Sequence, residues 1–232
     1  MIRIYYHIYS IEGVESIIDE QLSLIEKYFD FPYILNVGIS VANDNAPTDS
    51  IIKQLYTYNN VNNVVKDIYQ KGNEFVTLNL IEKDKELFED FDYIFYFHTK
   101  GASNQLNKKK YQTMVNWRNL MQYFNIERYK VIFRVFDTMD FNTYGMELKN
   151  VPNDISQNGI YCGIPYYHGN FWWMTGEYAK TINIDGIDKS KRWNAELQYI
   201  QKGVDWKPYS EYNNGESNYK INLRKEDYTS LI

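Results

Sequence analysis

A single cysteine, Cys162, stands in 232 residues. It has no partner for an intrachain disulfide and cannot build a cysteine-based zinc site; with glycine and aromatics around it, it reads as a small buried hydrophobe. No Gly-x-Gly-x-x-Gly follows the first strand pattern, and no Walker A sequence occurs, which removes the motif support for dinucleotide oxidoreductases and nucleotide hydrolases. Positive charge is scarce: 25 Lys and Arg against 30 Asp and Glu give a net charge of −5. With a pI near 5.3, that argues against non-specific nucleic-acid binding. The one basic run, Lys108-Lys109-Lys110, has the length of a solvated helix start, with attraction of an anionic substrate as the alternative. No apolar run approaches the length of a membrane span. The opening Ile2-Arg3-Ile4-Tyr5-Tyr6 has the texture of a strand, not of a signal-peptide core. A cytoplasmic protein, or a catalytic domain cut from something larger, is the expectation. Neither an internal repeat nor a low-complexity tract is visible.

What is present is 44% hydrophobic and 24% charged residues, the balance of a globular chain. Aromatics reach 17%, with 23 Tyr and 5 Trp. Codon bias accounts for the larger share of that excess, and rings lining a carbohydrate site for the smaller. The first hundred residues alternate. Strand patterns over Ile2–Tyr9, Tyr33–Val41, Asn63–Tyr69 and Tyr93–Phe97 are separated by helical spacing over Glu12–Phe29, Thr48–Tyr58 (capped by Thr48 or Asp49) and Thr77–Phe88. This predicts an α/β fold, a mostly parallel central sheet with helices on both faces. Lys108–Phe124 and Glu127–Phe136 read as further helix. Beyond Asp137 the helical period is lost until Gly176, as in long binding loops. Helices are expected again at Gly176–Thr181 and Lys191–Ile200.

Two constellations carry chemistry. The apolar run Tyr93–Phe97 ends in His98-Thr99-Lys100-Gly101, where a strand of an open α/β sheet presents its ligand-binding end. Downstream stands His168-Gly169-Asn170-Phe171-Trp172-Trp173. Gly169 permits close approach, Asn170 offers a donor and an acceptor, and the two tryptophans point to opposite sides of an extended segment. One ring is then core, and the other is free to serve as a platform. Gly72-Asn73-Glu74 opens a helix. Glu74 there either binds ligand hydroxyls or caps the free amides.

The motifs Lys71-Gly72-Asn73-Glu74-Phe75-Val76-Thr77-Leu78, Tyr96-Phe97-His98-Thr99-Lys100-Gly101, Trp117-Arg118, His168-Gly169-Asn170-Phe171-Trp172-Trp173 and Arg192-Trp193-Asn194-Ala195-Glu196 occur in that order. Between about Gly72 and Glu196 the chain resembles a family of glycosyltransferase-like proteins from bacterial polysaccharide loci and large DNA viruses. The resemblance implies a Rossmann-like GT-A nucleotide-diphospho-sugar transferase fold. It implies a nucleotide-diphosphate-sugar donor, and the expectation drawn from the whole reading is inverting transfer to a glycan hydroxyl. One GT-A-like domain over residues 1–232 is expected, with a nucleotide-sugar-binding half at 1–105 and an acceptor-side half at 106–232. The oligomeric state is not legible.

Many GT-A enzymes carry Asp-x-Asp at the end of the strand equivalent to Tyr93–Phe97, where a divalent metal meets the diphosphate. Here that place holds His98-Thr99-Lys100, and the carboxylates Asp90 and Asp92 precede the strand. A diphosphate leaving group needs positive charge, and Lys100 can supply it in part or whole in place of manganese or magnesium. No metal ligand is assigned; His98 stays open between ligand, phosphate donor and strand-end hydrogen bond. By the strand-end rule alone, His7, Tyr9 and Ser40 after the first two strands are expected to frame the nucleotide base and ribose; with Glu74, His98, Lys100 and Gly101 they make up the expected donor side. The acceptor side is expected to comprise His168, Asn170, Trp172 and Trp173, and Glu196 is expected to act as the base that takes the acceptor hydroxyl proton. The bland alternative for Glu196 is a pair with Arg192, and Arg118 reads as structural. Two rivals stand beside this reading. One is a carbohydrate or nucleotide-sugar binding module on the same fold. The other is a retaining enzyme, suggested by Trp206-Lys207-Pro208-Tyr209.

Overall fold

The computed structural model describes residues 1–67, 73–104, 108–150, 165–191, 193–213 and 224–229. Gly72, Cys162, Arg192 and the end of the expected third strand lie outside the described residues. The chain runs β1 (Ile2–Ser10), α1 (Glu15–Tyr28), β2 (Tyr33–Val41), α2 (Thr48–Leu55), β3 (Val61–Asp67), α3 (Phe75–Asp84) and β4 (Tyr93–His98). It continues through α4 (Lys108–Gln122), one π-helical stretch (Tyr123–Glu127) and α5 (Tyr129–Thr138). Then come β5 (Thr143–Gly145), β6 (Leu148–Asn150), β7 (Pro165–Tyr167), β8 (Trp172–Thr175), α6 (Gly176–Thr181), α7 (Trp193–Gln198), β9 (Pro208–Ser210) and α8 (Lys225–Thr229).

Seven strands form one sheet in the order β3-β2-β1-β4-β8-β5-β9, and β6 and β7 form a separate antiparallel pair. The first four are parallel. β8 runs antiparallel to both β4 and β5, and β9 is parallel to β5. The fold is therefore mixed α/β with a mostly parallel central sheet. Helices cover both faces. Ile2, Ile4, Tyr6 and Ile8 of β1 pack with Ile17, Leu22 and Ile25 of α1 and with Leu120 and Met121 of α4. On the other face Tyr5 packs with Phe75, Leu78 and Ile81 of α3 and with Tyr178 of α6. A strand covered on both faces must be apolar nearly throughout, which explains why β1 and β4 read as runs rather than as alternations.

The chain leaves β1 toward β2 and β3, then returns to β4 on the other side of β1. That reversal is a topological switch point, and the crevice it opens lies beyond the carboxyl ends of β1 and β4. Two local expectations are corrected. Neither Thr48 nor Asp49 caps α2: Pro47 holds the cap position without a side-chain bond, and Thr48 Oγ1 turns instead to Ser10 Oγ at 3.1 Å. The segment after Asp137 is not only loop. It supplies β5 and β8, which extend the main sheet, and the β6–β7 pair.

Candidate functional site

β4 delivers His98 to the crevice, and Thr99 fastens the turn that follows. The Thr99 amide donates to the His7 carbonyl at 3.0 Å, and its Oγ1 accepts from the Tyr9 amide at 3.0 Å. Gly101 completes the turn at φ +88°, in the left-handed region where glycine is preferred. Two side chains hold the turn from behind: Gln21 Nε2 donates to the His98 carbonyl at 3.2 Å, and Arg118 Nη1 donates to the Lys100 carbonyl at 3.0 Å. Arg118 is also bidentate to Glu20, at 2.9 and 2.7 Å. It is buried and wholly used in this way, so its role is structural. Lys100 extends over the indole of Trp117, its Nζ 4.1 Å from the ring centroid.

The second constellation closes onto the first. His98 Nε2–H donates to the Gly169 carbonyl at 2.9 Å, so Nε2 carries a proton. Gly169 adopts φ +101° and Asn170 follows at φ 57°. The Gly169 amide lies 3.4 Å from Glu196 Oε1, a long contact that sets the α7 carboxylate against the same loop. The His168 ring packs on Trp117 at 4.4 Å between centroids. Lys100 and His168 thus share one indole.

Beneath the loop lies a polar cluster. Glu74, buried beside the start of α3, accepts from Tyr96 Oη at 2.6 Å and from Asn170 Nδ2. Asn170 Oδ1 accepts from Trp172 Nε1 at 2.8 Å. Glu74 makes no capping bond; Asn73 does that work, its Oδ1 accepting from the Phe75 amide at 3.0 Å. Burial, followed by the charges of Glu74 and Glu196, drives the Tyr96 phenol far above its ordinary range. Tyr96 is a permanent donor to Glu74. Burial lowers the affinity of His168 for a proton below its ordinary 6.5, Lys100 and Lys149 push the same way, and Glu147 and Glu196 oppose them.

Not every expected residue reaches the crevice. His7 and Ser40 stand at the carboxyl ends of β1 and β2, yet both are buried and face α3. His7 Nδ1 bonds Thr77 Oγ1 at 3.0 Å and His7 Nε2 bonds Ser40 Oγ at 3.1 Å. Their polar atoms tie sheet to helix and are not presented to a ligand. Tyr9 is half-buried at the edge. The tryptophans alternate as expected, but both are core, 1% and 0% exposed. Trp172 stacks between Tyr96 and Tyr199 on one face, Trp173 on Phe95 on the other. β8 lies between two strands with helices above and below, so neither ring offers a platform to an acceptor. Asp92 belongs to the opposite end of the sheet, where it accepts from Arg3 Nε at 2.7 Å.

Trp117 belongs to the Trp117-Arg118 motif, but its place under Lys100 and His168 shows only in the fold, and a further residue of this edge has no signal in the sequence. Glu147 lies two residues past β5, at the same edge of the sheet as His98, because β5 runs parallel to β4 through β8. Three-residue strands have no readable period, so this carboxylate could not be placed beforehand. Among the described residues no three His, Cys, Asp or Glu side chains stand together, and the place where many GT-A enzymes carry carboxylates holds Lys100 and a histidine bonded to Gly169. Two cavities, of about 350 and 470 Å³, lie elsewhere, one between α1, α4 and α8 and one around Asp140, Glu177 and Lys207. Among the described residues no helix is long and apolar enough to cross a membrane.

No protein-family model matches the sequence, and no curated protein matches it. Solved structures do. A mannosyltransferase from Pyrobaculum calidifontis, in complex with GDP-Man and Mn2+, aligns at a TM-score of 0.42 and 13% identity, over 90% of this chain. The chain spans about half, 54%, of that protein's length. A 4-diphosphocytidyl-2C-methyl-D-erythritol synthase aligns at a TM-score of 0.38 and 9% identity, over 99% of this chain and 96% of its own.

Proposed function

We propose that the chain is a GT-A-type glycosyltransferase, folded as one domain, that moves a sugar from a nucleotide-diphosphate-sugar donor to a glycan hydroxyl with inversion. The observation that carries this reading is the His98–Gly169 hydrogen bond at the switch point. It joins the turn bearing Lys100 to the loop that contacts Glu196, which supports a cation and a carboxylate acting at one place. Transfer with inversion needs both. Lys100 meets the diphosphate, whose charge grows as the bond to the anomeric carbon breaks. Glu196 takes the proton of the acceptor hydroxyl as its oxygen attacks the same carbon from the other face. Glu74, held by Tyr96 and Asn170, accepts from donor hydroxyls. His168 shares the Trp117 indole with Lys100 and so borders the diphosphate, while Asn170 holds Glu74 in place. Lys100 takes the place of the metal, its ammonium standing where many GT-A enzymes carry a carboxylate.

The test is transfer from a panel of nucleotide-diphosphate sugars to glycan acceptors, with manganese, magnesium or chelator. The product's anomeric configuration is read by NMR. Expected are turnover in chelator and an inverted product. Glu196→Gln should cut turnover by at least about a hundredfold and leave donor affinity nearly unchanged. Retained turnover in that variant removes Glu196 from the role. Donor binding without transfer across the panel favours the binding-module reading, and activity that needs metal removes Lys100 as its substitute.

A further inference from the structure

Glu147 has no part in the scheme above, yet its setting is unusual. It is fully buried, at 0% exposure, and its backbone holds φ 56°, a conformation a long side chain adopts only at a cost and one that clusters at functional sites. The carboxylate is ion-paired with Lys149. Its Oε2 also lies 3.8 Å from His168 Nδ1, close enough for charge to act and too long for a hydrogen bond. The His168 amide donates to the Glu147 carbonyl at 3.0 Å, which fixes the two residues against each other.

Among the described residues, charged and titratable groups approach the His168 imidazole from several elements. Glu147 and Lys149 approach from the β5–β6 side, Lys100 from the end of β4 and Glu196 from α7. The ring of Tyr166 of β7 is 6.0 Å away and that of Trp117 of α4 is 4.4 Å away. Among the described residues two anions and two cations stand about this mostly covered ring. A diphosphate beside Lys100 would tip that balance toward the charged imidazole, since an added anion favours the protonated form.

We infer that Glu147 is a positioning residue that holds the His168 imidazole ready to take up a proton beside Lys100, so that two cations face the diphosphate leaving group. This rests on the donor reading above. As donor binds, one proton passes from solvent to the imidazole. The bond between the anomeric carbon and the diphosphate oxygen then breaks, its electron pair staying on that oxygen, and the ammonium and imidazolium offset the charge. The proton returns to solvent when the diphosphate departs. Glu147 supplies the counter-charge that keeps the imidazolium tolerable inside the protein.

The chain has only 3 histidines, so each imidazole can be followed separately by NMR. The probe is inorganic pyrophosphate, its own binding read from its phosphorus signal. In the wild type, saturating pyrophosphate should raise the His168 titration midpoint by about one pH unit or more. Glu147→Gln should abolish most of that rise and Glu147→Asp should restore part of it. Lys149→Met should raise the His168 midpoint without any probe. If pyrophosphate binds and His168 does not respond, or if Glu147→Gln titrates like the wild type, the inference is overturned and the diphosphate site stands. If neither pyrophosphate nor any nucleoside diphosphate binds, the donor reading falls and takes this inference with it. Should Glu147→Gln fail to fold, the Lys149→Met arm decides, and an unmoved His168 midpoint overturns the proposal.

Discussion

Gly169 is the smallest residue of the site and the least replaceable. Its φ of +101° disfavours any side chain, and a Cβ built there would meet Met121 Sδ at 2.3 Å and Trp117 Nε1 at 3.2 Å. Its carbonyl is bound by His98 and its amide approaches Glu196. Gly169→Ala must therefore displace the Met121 side chain and press on the indole shared by Lys100 and His168, in a backbone conformation alanine resists. We expect a loss of about 2 kcal/mol in stability from strain and overpacking, read by thermal unfolding, and a larger proportional loss of transfer. A variant that keeps wild-type stability and turnover would show that the loop tolerates another path, and would detach the Gly169 geometry from function. Asn170 is the complementary case. Asparagine tolerates the left-handed region, and its amide uses both ends, one on Glu74 and one on Trp172. Asn170→Ala leaves a buried carboxylate with Tyr96 as its one remaining hydrogen-bond donor and strands an indole N–H, which should cost about 2–3 kcal/mol.

At the scale of elements, the Lys100 turn is held by a clamp of two helices. Glu20 and Gln21 of α1 and Arg118 and Gln122 of α4 join one another and two carbonyls of the turn. Arg118→Met removes three bonds at once. Glu20 is 36% exposed and regains water, so the loss is smaller than for a fully buried pair, about 2 kcal/mol, or about 4–8 °C in Tm. Pyrophosphate affinity should fall with it, and Arg118→Lys should rescue neither, because an ammonium cannot make the fork. Stability that falls while affinity is untouched would limit the clamp to folding. The clamp itself was not legible: four residues on two helices far apart in sequence share no local signal. The long buried elements were. β2 spans Tyr33–Val41, as the spacing predicts, because its apolar run and flanking turns set its ends; the short α6 spans Gly176–Thr181 as expected because Thr175 Oγ1 caps it by accepting from the Tyr178 amide. The short strands β5 to β9 escaped, having three or four residues each and deriving their pairing from tertiary contacts. The two tryptophans illustrate the limit. Alternation gives their directions, but only the neighbours β4 and β5 decide that both sides are covered. Likewise the strand-end rule leads to His7 and Ser40, and only the packing of α3 shows that they bond inward.

For the whole molecule, the proposed function requires an acidic chain to concentrate cations where an anionic donor would bind. Lys100 and Lys149 flank His168, and that concentration has a consequence for stability. Burial and those two lysines keep the folded-state value of His168 below the 6.5 of an exposed imidazole. The unfolded chain then takes up that proton first, so stability is full above 6.5 and falls as pH drops from there toward the folded value. Two carboxylates act lower down. Burial alone would raise the Glu20 and Asp92 carboxyls, but their bonds to Arg118 and to Arg3 outweigh it and hold them below 4.5 and 3.8. Their contribution is present above those values and is lost as pH falls through the folded ones. Thermal unfolding across pH should show a plateau above about 7, a first decline beginning near 6.5 and a second below 4.5. Lys149→Met brings the folded His168 value back toward 6.5 and should shrink the first decline while leaving the second in place. Pyrophosphate, by charging the imidazole in the folded state, should do the same in the wild type. A profile without the first step would mean that His168 titrates as an exposed residue, and then neither its burial against Trp117 nor its coupling to Lys100 could contribute to recognition of a diphosphate.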